Sequence, residues 1–287
     1  MKEKDTRYKK YEALTFSLSK EVTRQYSTSF FSATQLFPSA VREAIYSIYG
    51  FVRAADEIVD SFQGFDQKVL FDRFEEDYYF AREQGLSSNP IIHSFLVTAN
   101  RYNINNKYVE SFLSSMRSDL DKTIYSSKLE TEQYIYGSAD VVGLMCLKVF
   151  CDGNEQLFEK LLTPAMRLGS AFQKVNFLRD LREDMLHLGR IYFPDLSIAS
   201  FDDNTKLKLV NDIEKDFSEA LTGIKQLPSN SRLAVFTAYR YYKRLLEKIS
   251  KTPASEIINR RIRVANADKM RLFTYSIIRN KFHLDED

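Results

Sequence analysis

Glycine and proline are scarce in this chain and cluster where long helices should break. Its 287 residues hold nine Gly and six Pro, and they fall at breaks between stretches whose apolar residues recur with a helical period. The pattern predicts one or two helices over 12–35, then helices over 38–62, 67–84, from Pro90 onward, 106–121 and 130–150. Further helices are predicted over 155–188, with a kink near Pro164, and over 206–225, 229–251 and 266–282. Pro38 and Pro90 stand where a first helical turn accepts proline. The breaks are "QGFD" at 63–66, "GLSSNP" at 85–90, "CDGNE" at 151–155 and the longer "FPDLSIASFDDNTK" at 193–206. Alternating strands joined by Asn-Gly or Asp-Gly turns are missing. The predicted fold is all-α: one domain over 1–287, with a core over about 15–282.

Composition narrows the function. A net charge of +2 gives no global field for nucleic acid, so attraction for anions must be local. The cysteines, Cys146 and Cys151, sit five apart in "GLMCLKVFC", which is not a metal-ligand spacing, and no disulfide framework is expected. With three histidines a zinc site is not expected either. The opening "MKEKDTRYKKYEAL" lacks the apolar centre of a signal peptide. No uninterrupted apolar run is long enough to span a bilayer, and the closing "RNKFHLDED" is polar.

Two stripes carry the chemistry. In "YGFVRAADEIVD", Tyr49, Arg53, Asp56 and Asp60 follow at steps of four, three and four. In "QKVNFLRDLREDMLHLGR", Gln173, Asn176, Asp180 and Asp184 follow at steps of three, four and four, with Arg179, Arg182 and Arg190 around them. Each set lies on one face of a helix. Hard divalent cations take oxygen ligands and share them between carboxylates and phosphate. Arg53 and Arg179 beside the acids suit a ligand that brings its own negative charge, since guanidinium binds phosphate bidentately. The bland alternative is a pair of solvated, salt-bridged faces. The apolar flanks "AIYSIYGFVRAADEIVD" and "LGSAFQKVNFLRD" favour helices lining an internal cavity instead, where unpaired carboxylates are costly and a metal accounts for them.

Three lesser features complete the inventory. Asp184 and His187 form an acid-x-x-His pair, but a carboxylate-bridged di-iron site needs a second one, and Pro90 and Asn280 stand where the acids preceding His93 and His283 would be. Ser27, Thr28 and Ser29 in "QYSTSFFSATQLFP" read either as hydrogen-bond donors to a phosphate or as an ordinary N-cap cluster. Gly137 and Gly143 in "YIYGSADVVGLM" call for close approach, by an apolar ligand chain or by a packed helix.

These motifs resemble those of the squalene/phytoene synthase family over roughly residues 15–280. "YGFVRAADEIVD" is similar to the family's first aspartate-rich motif, and "QKVNFLRDLRED" with "GRIYFP" to its second. "YSTSF" and "YIYGSADVVG" add to the likeness. The resemblance implies an isoprenoid synthase fold around a central cavity. It implies magnesium, with manganese as a substitute, on Asp56, Asp60, Asn176, Asp180 and Asp184. It places substrate contacts at Ser27, Ser29, Tyr49, Arg53, Gln173, Arg179 and Tyr241, and Tyr136 with the four aspartates at the catalytic centre. Three departures stand out: Asp140 where the family has Gly, Arg182 where it has a small residue, and one extra residue between Asp184 and Arg190.

The implied activity is head-to-head condensation of two geranylgeranyl diphosphates to phytoene, through a cyclopropyl diphosphate, for carotenoid synthesis. "NFLRDLRED" resembles that branch, for which no NADPH is expected. The alternatives are a squalene or dehydrosqualene synthase using farnesyl diphosphate, and a non-catalytic helical binding protein that has kept the fold. The expected location is the cytoplasm, with peripheral contact at the inner face of the membrane because the product is a water-insoluble hydrocarbon. Downstream carotenoid enzymes are the expected partners.

Overall fold

The computed structural model describes residues 6–186, 188–194, 196 and 200–281. His187, one half of the acid-x-x-His pair, lies outside them. Thirteen α-helices and one π-helical turn form the described chain. They are α1 (Thr6–Tyr26), α2 (Thr28–Thr34), α3 (Ser39–Asp60), α4 (Gln67–Gln84), α5 (Pro90–Arg101), α6 (Asn106–Ser118) and α7 (Lys128–Ile135). The π turn Tyr136–Asp140 follows, then α8 (Val141–Cys151), α9 (Glu155–Leu186), α10 (Asp203–Ile224), α11 (Ser229–Lys251), α12 (Ala254–Ile257) and α13 (Asn266–Lys281). Among the described residues no strand is present; Ile124 and Ile191 form an isolated parallel bridge.

Local chemistry sets the boundaries. Asp66, Asn89, Asn105, Ser127 and Asp202 each turn a side-chain oxygen onto an amide of the first turn of α4, α5, α6, α7 and α10. Gly85 closes α4 in the left-handed region at φ 71°, where a Cβ would be strained. Of the one or two helices expected over 12–35, the chain forms two, because Ser27 adopts an extended backbone and caps α2 through Phe30 N–H at 3.3 Å. The single helix expected over 130–150 is interrupted by the π turn. α9 runs through Pro164 as one helix. Gly223 of α10 is what lets that proline in: a Cβ there would sit 2.3 Å from Pro164 Cβ.

α3 and α9 lie at the centre. α3 is buried along Ile45, Ile48, Phe51, Ala55 and Val59, and Phe51 stacks on Phe95 at 4.1 Å. α9 packs on α8 and α10, and the π turn packs on α6 and α9. A continuous apolar core joins these elements, with a satellite of Ala33, Tyr241 and Leu272 under α13. The helical stretch Lys128–Cys151 is long and apolar enough to cross a membrane, which the sequence reading did not anticipate, but 61% of its apolar window is buried inside the fold.

Candidate active site

The two stripes face one another across a cavity of about 460 Å³, within the range of small-molecule sites. Its polar end holds Ser27, Tyr49, Arg53 and Asp56 from the α2–α3 side, and Gln173, Asn176 and Arg179 from α9. The remainder is apolar, walled by Phe37, Val142, Leu147, Phe150, Leu161 and Leu227 among others. A charged rim over an apolar chamber suits an amphiphile with an anionic head.

Each predicted residue can be placed. Asp60 ends α3 one turn beyond Asp56, and Asp180 and Asp184 extend α9 beyond Arg179, so these three sit past the cavity wall at its charged end. Ser29, on α2, is half-buried and does not line the cavity. Two tyrosines depart from expectation. Tyr136 is 38% exposed and outside the lining, while Tyr134, two residues earlier, is a lining residue. Tyr241 is buried in the satellite cluster and does not reach the cavity; its neighbour Tyr242 does. Tyr242 stacks on Phe172 at 3.9 Å and sets its hydroxyl 3.4 Å from Asn176 Oδ1. The glycines divide the two explanations offered for them. Gly137 sits against Ser111 and Ser115, a packing role, whereas Gly143 lines the cavity and also touches the Ala165 carbonyl.

Arginines crowd the acids. Arg53 donates to Asp56 at 2.5 Å, pairs with Glu57 and lies over the Tyr26 ring at 4.5 Å. Arg179 donates to Asp180 at 2.5 Å, and Arg261, from the segment between α12 and α13, reaches the same carboxylate at 2.7 Å. Arg190 pairs with Asp60 and donates to the carbonyls of Val59 at 3.2 Å and Asp119 at 3.0 Å. The segment carrying Arg190 is fixed by the Ile124–Ile191 bridge and by Thr131 Oγ1 donating to the Tyr192 carbonyl at 2.7 Å. Beneath it, Asp119 accepts from Tyr134 at 2.7 Å and Tyr125 at 3.4 Å, and Tyr192 stacks on Phe177 at 4.1 Å.

Burial and mutual repulsion leave these acids short of positive charge. Burial, then the charge of Asp60, pushes Asp56 up to about 6, against the pull of Arg53 and Arg190. Burial, then Asp180 and Asp60, pushes Asp184 up to about 8. Asp184 has no ion pair among the described residues, where Asp56, Asp60 and Asp180 each have an arginine. Asp119 rises to about 7, chiefly from burial. A divalent cation fits this deficit, and an all-oxygen set of carboxylates and one amide is the chemistry of a hard ion. Among the described residues no three acidic, His or Cys side chains converge as a ready-made cage.

Sequence reasoning missed Arg261, Asp119, Tyr134 and Tyr242. Arg261 and Asp119 carry no spacing signal toward either stripe. Tyr134 and Tyr242 each stand within two residues of the tyrosine chosen in their place.

An all-helical bundle around an acid-rimmed, apolar chamber has the isoprenoid-synthase-like architecture. The chain belongs to the squalene/phytoene synthase family, whose sequence model matches residues 23–268. It is 29% identical to the phytoene synthase of Arthrospira platensis, over 89% of this chain and 90% of that one. It is 30% identical to the 15-cis-phytoene synthase of Synechocystis sp., over 89% of this chain and 82% of that one. Its fold is similar to a crystal structure of a dehydrosqualene synthase in complex with ligand. The TM-score is 0.79 at 21% identity, over 96% of this chain and 99% of the other.

Proposed function

We propose that the chain joins two molecules of geranylgeranyl diphosphate head to head, giving phytoene by way of a cyclopropyl diphosphate. The observation that carries this reading is one amphipathic cavity whose charged end is lined by Arg53 and Asp56 of the first stripe and by Gln173, Asn176 and Arg179 of the second. The phytoene synthases among its relatives supply the choice of product.

Asp56, Asp60, Asn176, Asp180 and Asp184 would hold magnesium. The chemistry supplied by the bound ion is Lewis-acid neutralisation of a leaving diphosphate. Arg53, Arg179 and Arg261 give the same diphosphate bidentate donors. They reach it by releasing the carboxylates they now bond. Ionisation of the allylic diphosphate leaves a cation inside the chamber, whose lining includes Phe30, Tyr49, Phe172 and Tyr242, and aromatic rings stabilise a cation. The double bond of the second substrate attacks, loss of a proton closes the cyclopropane ring, and the apolar walls exclude the water that would quench the cation to an alcohol. A second ionisation, rearrangement and proton loss complete the product. No protein nucleophile is required. Tyr49, pushed up to about 12 by burial, stays a neutral hydroxyl throughout.

A product assay tests the reading. Purified protein with magnesium receives geranylgeranyl or farnesyl diphosphate, with and without NADPH, and the extract is read by mass and absorbance. Phytoene from the longer substrate without NADPH is the expected result. Product from farnesyl diphosphate alone would instead make this a squalene or dehydrosqualene synthase, NADPH dependence deciding between them. Asp56→Asn should lower kcat by about a hundredfold or more, as loss of one positioned charge does elsewhere, with no loss of thermal stability. Unchanged turnover would remove Asp56 from the metal site.

A further inference from the structure

A second groove of about 480 Å³ lies between α10, α11 and α13, similar in size to the catalytic cavity. Its floor is apolar, with Leu221, Ile224, Leu233 and Phe236. Around it stand five cations, Lys225, Arg232, Arg240, Lys243 and Arg244, against one acid, Glu247. For a chain of net charge +2 that is a concentrated positive field. Part of it is already used. Lys243 pairs with Glu214, Arg244 with Glu247 at 2.9 Å and with Asp268 at 3.6 Å, and Arg232 donates to the Leu227 carbonyl at 2.8 Å. Arg240 Nη1 and Arg244 Nε are buried with no hydrogen-bond partner among the described residues. Such donors cost free energy until an acceptor arrives. Arg240 is instead held over the half-exposed ring of Tyr275 at 4.3 Å, an aromatic of the kind that settles at a membrane–water interface. Ile224 lines both this groove and the catalytic cavity, so one residue's thickness separates them.

We propose that this groove seats the phosphate of an anionic bilayer phospholipid, Lys225 and Arg240 gripping the head group while the apolar floor takes the start of an acyl chain. The groove thereby docks the protein on a membrane with the wall at Ile224 turned toward lipid. The inference names a face for the membrane contact expected of an enzyme with a hydrocarbon product. It is read by binding, without turnover, so its failure leaves the condensation reading standing.

The test is co-flotation of the full chain with phosphatidylcholine vesicles, with or without phosphatidylglycerol. The wild type should float only with the anionic vesicles. Lys225→Gln/Arg240→Gln should partition about thirtyfold more weakly, about fivefold per surface charge removed. Lys9→Gln/Lys20→Gln, on exposed positions of α1, should float like the wild type. Raising salt to about 1 M, where the screening length falls to about 3 Å, should release the wild type. That arm stands even if the double variant fails to fold. Equal flotation with neutral vesicles, undiminished binding at high salt, or a folded double variant that floats like its control would each overturn the proposal. So would stabilisation by inorganic diphosphate that depends on Lys225 and Arg240 while flotation does not, since the groove would then take a small anion and no membrane.

Discussion

Asp140 shows what a single buried acid does when no cation balances it. It ends the π turn, 7% exposed, and accepts from Ser170 Oγ at 2.7 Å. Burial pushes its carboxyl up to about 7, against the downward pull of that hydrogen bond and of Arg167 and Lys174. The unfolded chain releases this proton near pH 4, while the folded chain keeps it until about 7. Across that window the folded state binds more protons, so stability falls as pH rises. Asp140→Asn, which preserves an acceptor for Ser170, should therefore raise the melting temperature at pH 8 and leave it nearly unchanged at pH 4. The gain at high pH is on the order of a few kcal/mol, because one pKa unit corresponds to about 1.4 kcal/mol. Thermal melts of both proteins at the two pH values check it. Arg190 is the opposite case, a buried cation fully used by Asp60 and two carbonyls. Arg190→Met should destabilise by about 3 kcal/mol, the low end for a broken buried pair, because Asp60 keeps 30% of its side chain exposed. Urea midpoints measure that. The stripes were legible because a helix repeats its face every three or four residues. The Arg190 contact was not, since it joins positions 130 apart, on a segment held by the Ile124–Ile191 bridge and the Thr131–Tyr192 hydrogen bond.

At the scale of elements, the π turn governs how α7 and α8 meet α9. Gly169 of α9 lies so close to it that a Cβ would stand 2.7 Å from the Ala139 carbonyl and 3.1 Å from Asp140 Cα. Both are backbone atoms, so no side-chain rotation can relieve the contact. Gly169→Ala should destabilise by about 1–3 kcal/mol, the usual range for overpacking, although alanine is the better helix former. A urea midpoint higher than that of the wild type would show that the two helices separate freely. The same turn resets the faces that α8 presents. A single regular helix over 130–150 is what periodicity predicts, and a π turn shifts the register of every face beyond it. Sequence periodicity finds helices and their faces. It does not find one wide turn inside a run of apolar residues, because the composition on either side of it is unchanged.

For the whole molecule, what counts is one chamber and the length of chain it can hold. The all-α class and two helices facing one cavity followed from glycine spacing and from two stripes. Chamber size did not, since it depends on side chains from α2, α3, α8, α9, α10 and α11 closing at once. Val142 on α8 is half-buried and faces this space, well away in sequence from the acid stripes. Val142→Phe adds a ring there without touching the charged end. If the chamber accommodates prenyl chains as proposed, the enlarged wall should penalise a 20-carbon substrate more than a 15-carbon one. The expected shift in relative kcat/KM is about tenfold or more, since a few methylenes of lost apolar contact each carry about 1–3 kcal/mol. Competition between the two diphosphates, read by product mass, measures the ratio directly. An equal loss on both would mean that residue 142 acts on the site as a whole. An unchanged ratio with full activity would mean that the chains lie elsewhere in the chamber, along Phe37 and Leu227 rather than α8.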